Sequence, residues 1–558
     1  MKTIKNDAAP RLAGLLLLAA TTGCWTPLQY KQDADEQVYD ILGKVSKAVT
    51  GESKVFPIES ATTTLRERLL ESNEPVILDL KTALDVAAEN SRAFQSQKES
   101  LYQAAMSLSS SIHNFDLRYT GGGSADINGT DDDSAQASFR TSLSASLSTE
   151  SGGRLVASFA TSWLRDLLTN DSFGDGSSSF SLSFTQPLIS GFGRRIARES
   201  LTQAERNMVY SMRSFEHSRS QQALSIVQSF YSILEQVNNL DDTVANYESL
   251  EVDTRRAEAM VAADRENQEG LDQARQRLLS AENGVIDTRD ALQGTLDNFK
   301  ITLGLPTISD VTLDQTEFEK ISAVVEISDQ LDEENLIAFA LEYRYDYQTL
   351  LDELEDTARR VMLAEDELGS SLDFSSAISM SSEPGKPFKF DGNNINWSAG
   401  FDLDFALDEL SERNSYRSAL IAFDRALRGK DEFEDRLRAD MRQTIRNVRN
   451  QEDSYRIQLL SVRLAERRVL RTELEREAGR TGITARDVLD AKQDLLNSQL
   501  SLTSSQVDFA VAKLQLLLDL EALPIEPKGL RYDPGIPIPD EALYGLTASG
   551  EGPQESRR

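Results

Sequence analysis

The sequence predicts an α+β membrane protein, mostly α, in which long coiled-coil helices share one chain with antiparallel membrane-spanning strands. Three observations lead there. An apolar heptad pattern recurs twice at a constant offset, stretches of period-two alternation interrupt it in each copy, and the chain opens with a signal peptide.

The signal peptide is residues 1–23: Lys2, Lys5 and Arg11 precede an apolar run, Leu12 to Ala20, followed by Thr21-Thr22-Gly23-Cys24. The run is too short to span a bilayer. A small residue directly before a lone cysteine resembles a lipoprotein-processing site, at which Cys24 is lipidated and becomes residue one, although Thr21 stands where leucine is usual. Ordinary cleavage nearby is the alternative. Residues 24–75 form an N-terminal periplasmic segment without a readable pattern. No later stretch is apolar for long enough to make a transmembrane helix, so any crossing is made by strands.

The chain has 59 basic and 91 acidic residues, a net charge of −32, which excludes nucleic acid as a partner. Cys24 is the only cysteine, and His113 and His217 are the only histidines. No nucleophile–His–Asp set, metal cluster or phosphate loop stands out, which points away from an enzyme and from any cofactor.

The heptads carry the repeat. Leu271, Leu278, Val285, Leu292 and Phe299 fall seven apart, with Ala274, Ala281, Thr288 and Thr295 between them. At an offset of 217 residues (Leu271 to Val488), Val488, Leu495, Leu502, Phe509 and Leu516 repeat the pattern around Ala491, Ser498, Ser505 and Ala512. One seam of large and one of small residues lets helices approach closely. Before each lies a longer helix: Gly193 to Ala263, roughly 107 Å, and Ser411 to Ala478, about 102 Å. Each is matched by two shorter ones. Leu80–Ser111, with Asp79 as N-cap, and Leu271–Leu303 serve the first copy, and Glu333–Gly369 and Ala485–Leu520 the second. The repeats are therefore 76–306 (strands 113–188, helical hairpin 193–303) and 333–523 (strands 372–407, hairpin 411–520). A linker 307–332 joins them, and 524–558 is a Pro-rich tail.

Between the short and long helices the period drops to two. Ser138 to Thr149 alternates Phe139, Leu143, Ala145 and Leu147 with serines and Arg140. Leu155 to Trp163 and Ser179 to Leu188 do likewise, and Phe115, Leu117 and Tyr119 make a shorter segment. The second copy offers Leu372–Met380 and Ile395–Phe405. One apolar and one serine-rich face suit a barrel wall in lipid, although a soluble sandwich alternates too. Six strands are too few to close a water-filled barrel. Three chains supply 12 or 18, depending on whether the extra hairpin Ser138–Trp163 joins the wall, so a homotrimer follows from geometry. Trp163 and Trp397 are candidate lipid-interface aromatics. The chain leaves the strands through Gln186-Pro187-Leu188-Ile189-Ser190-Gly191-Phe192-Gly193, where Pro187 ends pairing and Gly191 and Gly193 permit a sharp turn. In the second copy Asp408 or Ser411 is the candidate helix cap.

Over roughly Val76 to Leu523 the sequence resembles the outer-membrane efflux protein family, that of the TolC channel. The pieces that carry the likeness are TQPLISGFGRR, LTQAERNMVYSMRSFEHSRSQQALSIVQSFYSIL, FKITLGLP and GITARDVLDAKQDLLNSQLSL. The resemblance implies a homotrimer with a barrel in outer-membrane lipid and a helical tunnel in the periplasm. It also implies docking to a periplasmic adaptor and to an inner-membrane pump of the RND or ABC type. The expected function is a passive exit duct for efflux or type I secretion. A non-conducting coiled-coil spacer lipoprotein is the competing reading.

The resemblance places Asp487 and Asp490 at the periplasmic pore entrance, where a threefold axis makes six carboxylates. Helix capping by Thr484 and Asp487 explains the same residues more plainly. Gly479, Arg480 and Gly482, at the preceding hairpin tip, are candidates for adaptor contact.

Overall fold

The computed structural model describes residues 26–544, apart from 60–63, 72–74, 131–133, 167–174, 265–266, 323–330, 384, 406, 479–483, 524, 527–528 and 532–537. Cys24, Gly479, Arg480 and Gly482 lie outside the described residues, as does most of the Pro-rich tail.

In chain order the elements are α1 (Pro27–Thr50), α2 (Leu65–Glu71), β1 (Val76–Leu78), α3 (Leu80–Asn90) and α4 (Arg92–His113). Strands β2 (Arg118–Thr130), β3 (Ser134–Ser148), β4 (Arg154–Asp166) and β5 (Asp175–Pro187) follow, then α5 (Arg194–Ala197), α6 (Glu199–Ala262) and α7 (Gln268–Leu303). After β6 (Val311–Leu313) and α8 (Thr316–Ser322) come α9 (Glu333–Tyr343), α10 (Tyr345–Asp366), β7 (Ser371–Ser382) and β8 (Phe390–Asp404). Helices α11 (Leu410–Glu477), α12 (Ala485–Asp519) and α13 (Asp540–Tyr544) complete the described chain.

The long helices form without proline breaks. α6 has 64 residues and α11 has 68, about 96 Å and 102 Å along their axes. Asp408 caps α11, accepting from the Leu410 N–H at 3.4 Å. Two of the four short helices, Leu80–Ser111 and Glu333–Gly369, are instead broken, at Ser91 and at Arg344, where the backbone turns extended (ψ 121° and 125°). The break falls at matching places in the two repeats. Neither site has a proline, so packing is responsible. In the first repeat Gly304 ends α7 at φ 79°, and a Cβ there would stand 2.0 Å from the Asn90 carbonyl oxygen. Only glycine allows α7 to stop against that kink.

Two compact units emerge, each drawing on both repeats: 1–56, 100–212 and 356–422 form one; 57–99, 213–355 and 423–558 the other. The first unit holds a six-stranded antiparallel sheet in the order β2-β3-β4-β5-β7-β8. The second holds a parallel pair, β1 with β6, which ties the start of the first repeat to the linker. Its core follows the heptads. Leu250 and Ala257 of α6 meet Leu271 and Ala274 of α7 and Leu489 of α12, with Leu278 and Ala281 beside them. α1 is a helix in the segment that carried no pattern. It rests on α4 in the first unit, where Tyr102 donates to Asp35 at 2.7 Å and Ser109 to Gln37 at 3.1 Å.

Candidate functional site: a two-faced strand wall and a braced helical end

Strand pairing puts the alternating residues in register across all six strands. Ala145, Ala157, Leu182, Ile378 and Trp397 lie in one row, and Leu143, Phe159, Phe180, Met380 and Ile395 in the next. From Leu372 to Met380 the apolar face runs about 26 Å along β7, close to the height of a lipid-facing band. The opposite face carries Ser142, Ser144, Ser146, Ser158, Ser162, Ser177, Ser181 and Ser183. Hydroxyl pairs link neighbouring strands there: Thr120 with Ser144 at 2.5 Å, Ser158 with Ser181 at 2.6 Å, Ser162 with Ser177 at 2.8 Å.

The short segment at Phe115, Leu117 and Tyr119 is corrected. The strand runs Arg118–Thr130 through Gly121-Gly122-Gly123, a stretch whose low β propensity hid it. The extra hairpin joins the same sheet, with β3 paired to β4 along all 13 residues of β4. Trp163 is on the apolar face near the end of β4, its ring 6.3 Å from that of Phe388. Trp397 is on the same apolar face but midway along β8 rather than at a strand end, and it is 77% exposed.

At the junction between strands and helices the β3–β4 turn docks onto the exit loop. Gln186 Nε2 donates to the Ser151 carbonyl (3.0 Å), Ser151 Oγ donates to Gln186 (3.1 Å), and the Gly193 N–H donates to the same Ser151 carbonyl (3.3 Å). Glu150 pairs with Arg194 at 3.1 Å and Arg198 at 3.2 Å. The Gly191 N–H donates to Asp366 at 2.7 Å, which anchors the loop to the end of α10. Gly191 (φ 79°) and Gly193 (φ 102°) both need the left-handed region, and Pro187 is the last strand residue. The structure thus brings Pro187, Gly191 and Gly193 together as one turn. Gly152, unnoticed in the sequence, is their counterpart: its Cβ would lie 2.6 Å from the Gly191 carbonyl.

The end of the second unit is braced by charge. Asp487 caps its own helix, accepting from the Thr484 N–H at 2.8 Å and the Thr484 hydroxyl at 2.7 Å, and these bonds hold its carboxyl below the ordinary range. Asp490 pairs with Arg277 of α7 and, more loosely at 3.8 Å, with Arg486. Two residues on, Lys492 is nearly buried and joins three helices, donating to Asp253 (2.6 Å) and Ser249 (2.8 Å) of α6 and pairing with Glu473 of α11 (3.1 Å). Sequence reading missed Arg277 and Lys492. Their signal was a basic residue on a heptad-bearing helix, which is indistinguishable from a solvated one until the partner helix is placed.

A sheet divided into an apolar and a hydroxyl face, carried by a chain of very long paired helices, defines a recognisable class of fold. The chain has the fold of the outer-membrane efflux channels. It is similar to the Campylobacter jejuni CmeC outer membrane channel (14% identity, TM-score 0.58, covering 82% of this chain and 87% of that one). It is also similar to the outer membrane protein VceC of Vibrio cholerae (14%, 0.57, 79% and 95%) and to the open state of the Neisseria gonorrhoeae MtrE channel (12%, 0.57, 84% and 98%). No protein-family model and no curated protein sequence matches the chain. The likeness is one of fold, as identities this low require.

Proposed function

We propose that the protein is the outer-membrane exit duct of a tripartite efflux or type I secretion system, a passive conduit that assembles as a homotrimer. The observation that carries this reading is the six-stranded sheet. It has one face fit for lipid and one for water, and its two edge strands, β2 and β8, have no further partner among the described residues. A lone sheet with open edges is not stable in a bilayer, and pooling strands among copies closes it.

The helices favour the same assembly. Ile457, Leu460, Leu464 and Leu474 form an exposed apolar stripe at heptad-like spacing on α11, as do Leu279 and Ile286 on α7. These stripes suit the neighbouring copy's helices. The apolar band suits the lipid of an outer membrane, and Cys24 is the proposed lipid anchor. In the duct, Asp487 and Asp490 stand at the periplasmic entrance, Gly479, Arg480 and Gly482 meet the periplasmic adaptor, and energy comes from the inner-membrane pump.

Planar-bilayer recording of the purified protein is the test. Discrete, uniform channels from a detergent-stable trimer are expected. A trimer that conducts nothing favours the spacer lipoprotein.

A further inference from the structure

We infer that the partner of the two free sheet edges is a second copy of this chain joined β2 to β8, so that the wall of the trimer has eighteen strands rather than twelve. The inference rests on the trimeric reading above and deepens it. Three observations carry it. First, the hairpin β2–β3 is no appendage: β2 pairs with β3 from Arg118–Ser146 to Thr130–Ser134, and β3 pairs with all of β4, so the sheet is continuous to β2. Second, both faces persist across the hairpin. Leu143 is 57% exposed and Tyr119 69% exposed on the apolar side, while Thr120 and Ser144 continue the hydroxyl ladder on the other. A hairpin folded into a watery lumen has no use for that apolar row. Third, the edges match. β2 has 13 residues and β8 has 15, and β2 leads away from the helices whereas β8 returns to them, so a β2–β8 seam is antiparallel as closure requires.

The consequence is width. At about 4.8 Å per strand and a tilt near 40°, eighteen strands make a ring about 36 Å across at the backbone, against about 24 Å for twelve. The cross-section roughly doubles, and its lining mixes serine hydroxyls with the charges of Arg118, Arg140, Arg154, Asp126, Asp373 and Asp402. Such a wall is wide enough for bulky hydrated cargo.

Disulfide trapping in the full-length protein in native membranes tests this. Ser398→Cys on β8 is combined in turn with Thr120→Cys, Gly122→Cys, Ser124→Cys and Asp126→Cys along the same face of β2, and separately with Ser158→Cys and Ser162→Cys on β4. A covalent ladder ending at trimer from one or more β2 pairs, and none from β4, is expected. Trimers trapped through β4 overturn the eighteen-strand wall and keep the trimeric duct. A trimer by sedimentation that no β2 pair traps overturns it as well. A monomer by sedimentation, with no trapping, overturns both.

Discussion

At the scale of single residues, charge partners decide what the candidate entrance does. Asp490 is not a bare carboxylate, because Arg277 and Arg486 of the same chain neutralise it, and Asp487 is occupied by its helix N-terminus. Removing Arg277 leaves Asp490 with only the looser Arg486 contact at the proposed entrance. Arg277→Gln is expected to strengthen block by multivalent cations several-fold and Asp490→Asn to weaken it, both read from single-channel currents. Equal block in the two variants would take the entrance assignment away from Asp490. His217 offers a pH test. Its ring lies 2.5 Å from Glu521, and that hydrogen bond raises the histidine pKa above its ordinary value. A raised folded-state pKa means the bond stabilises fully below about pH 6.5 and is lost as pH climbs past the raised value. The gap in thermal midpoint between wild type and His217→Asn is expected to shrink between pH 6 and pH 9. A gap that is constant across that range excludes the imidazolium as its source.

At the scale of elements, the sheet and the helical brace make opposite demands on polarity. Leu182 sits in the middle of the apolar band, flanked in its row by Ala157 and Ile378, and the adjacent Ser181 faces the hydroxyl side. Leu182→Arg is expected to cost about 2–4 kcal/mol of folding into lipid vesicles, and Ser181→Arg close to nothing. Similar costs at both positions would mean the faces are not lipid and water. In the brace, Lys492 and Asp253 are both nearly buried. Lys492→Met alone leaves that carboxylate uncompensated, at a cost of about 3–5 kcal/mol, whereas adding Asp253→Asn recovers most of it. Denaturant unfolding of the three proteins measures the cycle, and simple additivity would show that the pair does not couple α12 to α6. Element identity was open to sequence reading wherever periodicity was strong. The broken helices at Ser91 and Arg344 and the glycine-rich β2 were not, because in each case neighbouring elements override a weak or contrary local preference.

At the scale of the whole molecule, the net charge of −32 is the property the proposed duct cannot conceal. Its summed field favours cations in any aqueous passage the chain encloses, and salt screens that field over about 10 Å at 0.1 M. A reversal potential cation-selective in dilute potassium chloride, fading towards zero at molar salt, is expected. Anion selectivity at low salt would show that basic side chains line the passage.

The repeated heptads, the two long helices, strand alternation and the Pro187–Gly193 turn were legible in the sequence, because each is written in spacing along the chain. Heptads and period-two faces need no partner to be seen. The tertiary structure alone decided that β2 and β3 extend the sheet, that Gly152 seats against Gly191, and that Arg277 and Lys492 meet Asp490 and Asp253. Those contacts join residues far apart in sequence. A glycine strand or a lone basic side chain carries no local signal of the element it will face, so only the packed chain could supply it.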